Sequence, residues 1–325
     1  MPSESFTIRP VRRVPSDYAG IAAVYAAYNT AIGRERRYSP EDIEMFLSAP
    51  EYVPELGIVA EADGRLVGYS ECLPRPETGS CSSEVVLLPE YLATDLLEWL
   101  LTLADAALLE RAKMIPAHLP IVVRRPAMTT EAEMIRLLEA HGYAPTRTFY
   151  TMHIALDVTP TFSLPEGFRF EAFDREKHGR ELYEAHEEAF AQHWGHERIS
   201  WEDWEHQIYE RASMDPCLWL LIFDDQGLAG YSINRQFNDD DPSLAWVGTL
   251  GVLPRARRRG LGETLLRSSF ALFKARGFAR AGLSVDADNT TNALALYERA
   301  GMHVHRVTRV YQKELRRAVR QSDPL

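Results

Sequence analysis

The sequence predicts an α/β protein assembled from two copies of one unit. Length is the first observation: 325 residues, at roughly 150 residues per domain, leave room for two domains that each bury a core. The second is patterning, since short alternating apolar runs are followed by stretches with helical spacing in both halves. The third is an internal repeat at a nearly constant offset.

The elements follow in order. Phe6-Thr7-Ile8-Arg9-Pro10-Val11 reads as a strand, with a helix-like run from Ile21 to Tyr28 behind it. Phe168-Arg169-Phe170-Glu171-Ala172-Phe173 repeats the pattern 162 residues later, before a helix from about Gly179 to Phe190. Ile58 to Ser70 is a hairpin turning at Asp63-Gly64. Leu220 to Ser232, turning through Asp225-Gln226-Gly227, matches it at the same offset. Leu137 to Tyr143 and Leu296 to Met302 are helix ends stopped by Gly142 and Gly301.

Three matches in one order argue for duplication. Proline blocks regular structure in Val158 to Pro165, which marks the seam. The predicted organisation is therefore a first domain over 1–157, a linker over 158–165, a second domain over 166–316 and a tail over 317–325. The run from Arg316 to Leu325 has charge without periodicity and reads as frayed.

Composition narrows the function. The chain is 46% hydrophobic and 26% charged with 19 Gly and 19 Pro, which excludes disordered and collagen-like classes. A formal charge of -11 argues against coating nucleic acid or an anionic membrane, so an anionic ligand needs a local basic patch. Cys72, Cys81 and Cys217 form no CxxC and no Cys/His cluster, and neither a disulfide framework nor a metal site is expected. Met1 to Arg13 has no apolar core of a signal peptide, and no run reaches the roughly 18 apolar residues of a membrane span. The expectation is a cytoplasmic protein.

The most informative stretch is Leu244 to Gly262. An apolar strand ends at Pro254, a loop bearing Arg255, Arg257, Arg258 and Arg259 follows, and Gly260 and Gly262 lead into a helix with Leu265, Leu266, Ser269, Phe270 and Phe273 on one side. Glycines let consecutive N–H groups converge at a helix start, whose dipole favours an anion; a pyrophosphate fits such a turn. The arginines would add charge at its rim. The loop lacks the Gly-Lys-Ser/Thr of a Walker loop and the GxGxxG of a dinucleotide loop.

The spacing Val252-x-Pro254-x-x-Arg257-x-x-Gly260-x-Gly262 resembles the acyl-CoA signature of the GNAT N-acetyltransferase superfamily. Ala281 to Asn289, a strand into a turn, and Thr291 to Met302, a helix ending at Gly301, are similar to that family's second motif. The wording Val285-Asp286-Ala287-Asp288-Asn289 is close to that of mycothiol synthases, which are tandem GNAT proteins. The resemblance implies two tandem GNAT-type domains, each a mixed, splayed central sheet flanked by helices.

It also implies acetyl-CoA as co-substrate and a small-molecule primary amine as acceptor, in a monomer or homodimer that binds neither nucleic acid nor membrane. By similarity, the backbone of Leu250, Gly251 and Val252 pairs with the pantetheine arm, and Arg257, Arg258, Arg259, Gly260, Leu261 and Gly262 hold the pyrophosphate. Asn292 touches the cofactor arm, and Asn289 is a further contact or a turn residue. Tyr297 protonates the departing thiolate, a role suited to a phenol that is neutral at pH 7.

Relatives place a general base on the strand before the loop, but here Ser243 to Val252 offers only Ser243 and Thr249 as polar side chains. The base candidates are Glu187, His193 and Glu197, on a segment that in this fold walls the acceptor pocket. Trp194, Trp201, Trp204 and Trp219 cluster nearby as packing residues or as an aromatic wall.

The first copy reads as silent. After Glu84-Val85-Val86-Leu87-Leu88-Pro89 no Gly and no Arg precede the helix, Glu90 and Asp95 would repel a pyrophosphate, and Leu138 stands opposite Tyr297. The run Arg34-Glu35-Arg36-Arg37 reads as a solvated turn. Two functions fit: an acetyltransferase, with a cysteinyl amine as its narrow form, and a non-catalytic acyl-CoA-binding or regulatory protein.

Overall fold

The computed structural model describes residues 6–34, 36–49, 52–191, 196, 198–209, 214–238, 241–288 and 293–319. Contacts divide the chain into two compact units, Met1–Thr148 with Thr308–Leu325, and Phe149–Val307.

The first unit contains β1 (Thr7–Pro10), α1 (Pro15–Ala31), α2 (Pro40–Ser48), β2 (Ile58–Ala62), β3 (Arg65–Arg75), β4 (Ser80–Leu87), α3 (Asp95–Glu110), β5 (Ile121–Met128) and α4 (Ala132–Ala140). Sequence explains the boundaries. Pro15 sits at the start of α1, where its missing N–H costs nothing. Ser39 and Asp42 close a capping box on α2. Positive φ at Asp63 (49°) and Gly64 (75°) makes the tight turn that pairs Ile58 with Ser70 and Ala62 with Arg65. Leu96, Leu97, Leu100 and Leu101 of α3 pack with Ala60, Val85, Leu87 and Val123, while Ile21, Tyr25 and Tyr28 of α1 pack with Val59, Tyr69 and Val86. The two sets occupy opposite faces of the strands, as the period of two requires.

The second unit contains β7 (Arg169–Glu171), α5 (Arg175–Phe190), α6 (Trp201–Tyr209), β8 (Leu220–Asp224), β9 (Gly227–Asn238), β10 (Asp241–Val252), α7 (Leu261–Ala275), β11 (Arg280–Asp286) and α8 (Ala293–Arg299). Its core joins Leu182 and Trp204 to Tyr231, Val247, Leu266, Phe270 and Leu283. Both predicted hairpins form, and Gly142 (φ 79°) and Gly301 (φ 94°) end their helices in the left-handed conformation.

Two strands complete the units. β6 (Ala144–Ala155) supplies the partner of β11, from Phe149 against Asp286 to Ala155 against Arg280. β12 (His303–Arg316) supplies the partner of β5, from Thr308 against Met128 to Arg316 against Ile121. The first unit is ordered β1-β2-β3-β4-β5-β12 and the second β6-β11-β10-β9-β8-β7. Units defined by contact are thus not the two contiguous stretches of the repeat, because the last strand of each stretch completes the other unit.

Two expectations are corrected. Arg34 is no solvated turn residue: its guanidinium bonds Glu84 at 2.6 Å with side-chain exposure of 18%. Arg316 is no part of a frayed tail: it ends β12 and donates to the carbonyls of Ala112, Ile115, Pro116 and Leu119. In both cases a guanidinium gathers acceptors far away in sequence, which periodicity does not reveal. No described helix is long and apolar enough to cross a membrane.

Candidate active site

The site begins with an incomplete ladder. β10 pairs with β9 as far as Val252 against Gly230, yet it pairs with β11 only over Leu244–Trp246. Beyond Trp246 the two parallel strands part, so one edge of Leu250, Gly251 and Val252 has no β11 partner. An extended ligand arm can bond such an edge as an added strand. β4 and β5 part in the same way after Ser82 and Arg124.

Past β10 the chain turns sharply. Arg258 (φ 62°) and Gly260 (φ 85°) both lie in the left-handed region, where glycine is at ease and arginine is not. Gly260 is the N-cap of α7 and has no side chain to cap with. Thr264 N–H reaches the Gly260 carbonyl at 3.1 Å, but the N–H groups of Leu261, Gly262 and Glu263 precede any helical acceptor. In the first unit the matching helix begins differently, because the Thr94 hydroxyl accepts the Leu96 N–H and caps α3 from within. One copy leaves its helix start open for an anion and the other closes it.

The four loop arginines divide by role. Arg255 turns inward to Asp224 and the Leu228 carbonyl, so it braces the loop and does not serve the rim. Arg257 donates to the carbonyls of Val252 (3.1 Å) and Ala189 (3.2 Å) and ties the loop to β10 and α5. Arg259 lies over the Phe168 ring at 4.2 Å. Arg257, Arg258 and Arg259 are all exposed, leaving positive charge beside the open helix start. A Cβ on Gly262 would come within 3.4 Å of Leu296, so the loop also contacts α8.

α8 carries Tyr297, half-buried against the second unit's core. Burial pushes its phenol up to about 12, so it keeps its proton at neutral pH. His193, Glu197, Asn289, Asn292 and Trp194 lie outside the described residues. Glu187 is buried on α5, with Oε2 at 3.2 Å from His196 Nε2. Ser243 is bonded to Asp241, and Asp241, the carboxylate that opens β10, is bonded to Arg280 at the far end of the strand from Val252, which leaves Thr249 as the polar side chain nearer the loop. Trp204 and Trp219 are buried core residues.

Sequence reasoning missed Tyr231. It is fully buried, stands opposite Gly251 in the ladder, and occupies the space a Cβ there would need, with ring and hydroxyl atoms at 2.5 to 2.7 Å. Its hydroxyl lies 3.1 Å from His186 Nδ1. Burial, then the charge of Glu187, push its phenol well above the ordinary tyrosine value. The available signal was Gly230-Tyr231-Ser232 at the end of the second hairpin, which repeats Gly68-Tyr69-Ser70 of the first. Among the described residues, no group of His, Cys, Asp and Glu could hold a metal ion.

A parallel strand pair that splays apart beside an uncapped, arginine-flanked helix start suits a transferase of the acyl-CoA class. Comparisons with known proteins agree. The acetyltransferase (GNAT) family profile matches residues 179–302. The mycothiol acetyltransferase of Geodermatophilus obscurus is 29% identical over 309 residues, 92% of this chain and 96% of that protein. The crystal structure of a GCN5-related N-acetyltransferase from Sphaerobacter thermophilus is 30% identical with a TM-score of 0.80, covering 98% of both chains. A tandem GNAT protein from the clavulanic acid biosynthesis pathway shares the fold, with a TM-score of 0.69 at 14% identity over 96% of this chain and 99% of that one. The chain belongs to the GNAT family: it is a tandem GNAT protein and an N-acetyltransferase.

Proposed function

We propose that the second unit moves an acetyl group from acetyl-CoA to the primary amine of a small molecule in the cytoplasm. The observation that carries this reading is the uncapped start of α7 at the end of the splayed β10. There the N–H groups of Leu261 and Gly262 and the charges of Arg257, Arg258 and Arg259 suit a pyrophosphate, and the edge of Leu250, Gly251 and Val252 suits the pantetheine amides. Asn289 and Asn292 are further candidate contacts to the cofactor arm. Residues 1–157 and 166–316 are, in this reading, two copies of one unit joined by 158–165, of which only the second is catalytic.

The proposed transfer is direct. The amine nitrogen attacks the thioester carbon, the carbon–sulfur bond breaks, and the Tyr297 hydroxyl gives its proton to the sulfur. The amine proton passes to the Glu187–His196 pair, directly or through water. Because relatives matching nearly the whole chain are mycothiol acetyltransferases, a cysteinyl amine on an amino-sugar inositol is the first acceptor to try.

The experiment is thiol release from acetyl-CoA with that acceptor, aminoglycosides, polyamines and amino acids. At least one amine should release CoA, and Tyr297→Phe should slow that release tenfold or more while acetyl-CoA still raises the melting temperature. Release from none of them, with acetyl-CoA still bound, would replace the catalytic reading with a binding one.

A further inference from the structure

The first unit lacks the phosphate loop, yet it has a dense polar cluster between α1, β3 and β4. Glu84 on β4 aligns in the repeat with Thr249 of β10, so the silent copy has a carboxylate where the other copy has none. Arg34 Nη1 bonds Glu84 Oε1 at 2.6 Å and the Tyr25 hydroxyl bonds Oε2 at 3.2 Å. Arg34 also feels the charge of Glu131, whose carboxylate accepts the Tyr28 hydroxyl and, at 2.6 Å, the Met128 N–H. Tyr25 lies 4.8 Å from the ring of Tyr38 and 5.9 Å from that of Tyr69.

Two further features lie beside the pair of Arg34 and Glu84. Asn29 is 1% exposed, shares a face of α1 with Tyr25 and Tyr28, and gives its amide N–H to the Arg36 carbonyl at 2.8 Å. Its Oδ1 has no hydrogen-bond partner among the described residues, a buried acceptor that still wants a donor. Arg34, moreover, reaches Glu84 from the loop after α1, not from the sheet or a helix. Carboxylates, tyrosine rings and an open acceptor are the surroundings that a planar organic cation prefers.

We propose that the first unit holds a binding site for a small organic cation with a guanidinium or ammonium head, built from Glu84, Glu131, Tyr25 and Asn29, beside the Tyr38 ring that Arg36 already covers at 4.6 Å, and that the side chain of Arg34 fills it. An incoming cation displaces Arg34 towards solvent and takes over its bonds to Glu84. No acetyl transfer follows there, because Thr94 caps α3 and Leu138 replaces the tyrosine. Binding there does not depend on the transfer proposed for the second unit.

Titration calorimetry of the full chain with methylguanidine and n-butylammonium tests this. Arg34→Ala should bind methylguanidine at least tenfold tighter than the unaltered chain, and more tightly than butylammonium, since the planar fork matches a carboxylate. Adding Glu84→Gln should weaken binding at least tenfold. Equal affinity with and without Arg34, or binding that survives Glu84→Gln, overturns the proposal. Should Arg34→Ala fold poorly, millimolar methylguanidine is expected to restore its melting temperature and equimolar sodium chloride is not; no restoration overturns it equally.

Discussion

At the scale of single residues, burial sets proton positions, and two side chains make this measurable. Tyr297 has its proton held up to about pH 12 by burial, so as an acid it loses nothing across the physiological range. In Tyr297→Phe, kcat should fall at least tenfold with KM for acetyl-CoA within about twofold, because in the proposed transfer the hydroxyl acts on the leaving sulfur and not on binding. Glu71 shows the opposite use of burial. It is 8% exposed, bonded to the Tyr69 hydroxyl at 2.6 Å, and pushed up to about 8 by burial. A carboxyl with a folded pKa above its unfolded value stabilises the fold below the unfolded value, and that stability is lost as pH rises towards the folded one. Stability should therefore decline between about pH 4.5 and 8, by at most about 1.4 kcal/mol per pH unit from this group. Glu71→Gln should flatten that decline in urea titrations at pH 5, 6.5 and 8; an unchanged slope would show that another group sets it.

At the scale of elements, the difference between the copies lies in how one helix begins. α3 is capped by Thr94, whereas α7 starts at a glycine with φ 85°. Gly260→Ala should cost about 1 to 2 kcal/mol from the left-handed backbone alone, and Gly260→Glu should also lose the acetyl-CoA thermal shift by placing a carboxylate at the proposed pyrophosphate site. Gly251→Ala meets the Tyr231 ring within 2.7 Å and should lose about 1 to 3 kcal/mol by overpacking, read from the denaturation midpoint. The repeat, the hairpins, the helix-ending glycines and the Pro254 to Gly262 loop were legible because turns and periodicity are local signals. Arg34 to Glu84, Arg255 to Asp224 and Arg316 to the Leu119 carbonyl were not, since these partners are 50, 31 and 197 residues apart. Tyr231 escaped for a related reason: its meaning depends on the glycine opposite it in the ladder.

At the scale of the whole molecule, the repeat and the compact units disagree about where the last strands belong. The matches of the sequence repeat include neither β6 nor β12, and an alternating pattern would in any case leave a strand's partner open. The structure places Thr308–Arg316 beside β5 and Phe149–Ala155 beside β11. The first unit therefore depends on the far end of the chain. Tyr311 is fully buried in its core, worth about 2 to 3 kcal/mol, Lys313 reaches Asp105 at 3.1 Å, and Arg316 closes four carbonyls. Removal of 308–325 should strip β5 of a neighbour, expose an unpaired edge, and unfold the first unit. Residues 1–157 made alone should likewise be aggregation-prone, while 1–157 and 166–325 made together should recover a soluble pair, because each supplies the strand that the other lacks. The readout is co-purification through a tag on one fragment, followed by thermal melting of the pair. Two fragments that each melt cooperatively on their own at the intact protein's temperature would show that neither needs the other's strand, and the exchange would then not describe the folded chain.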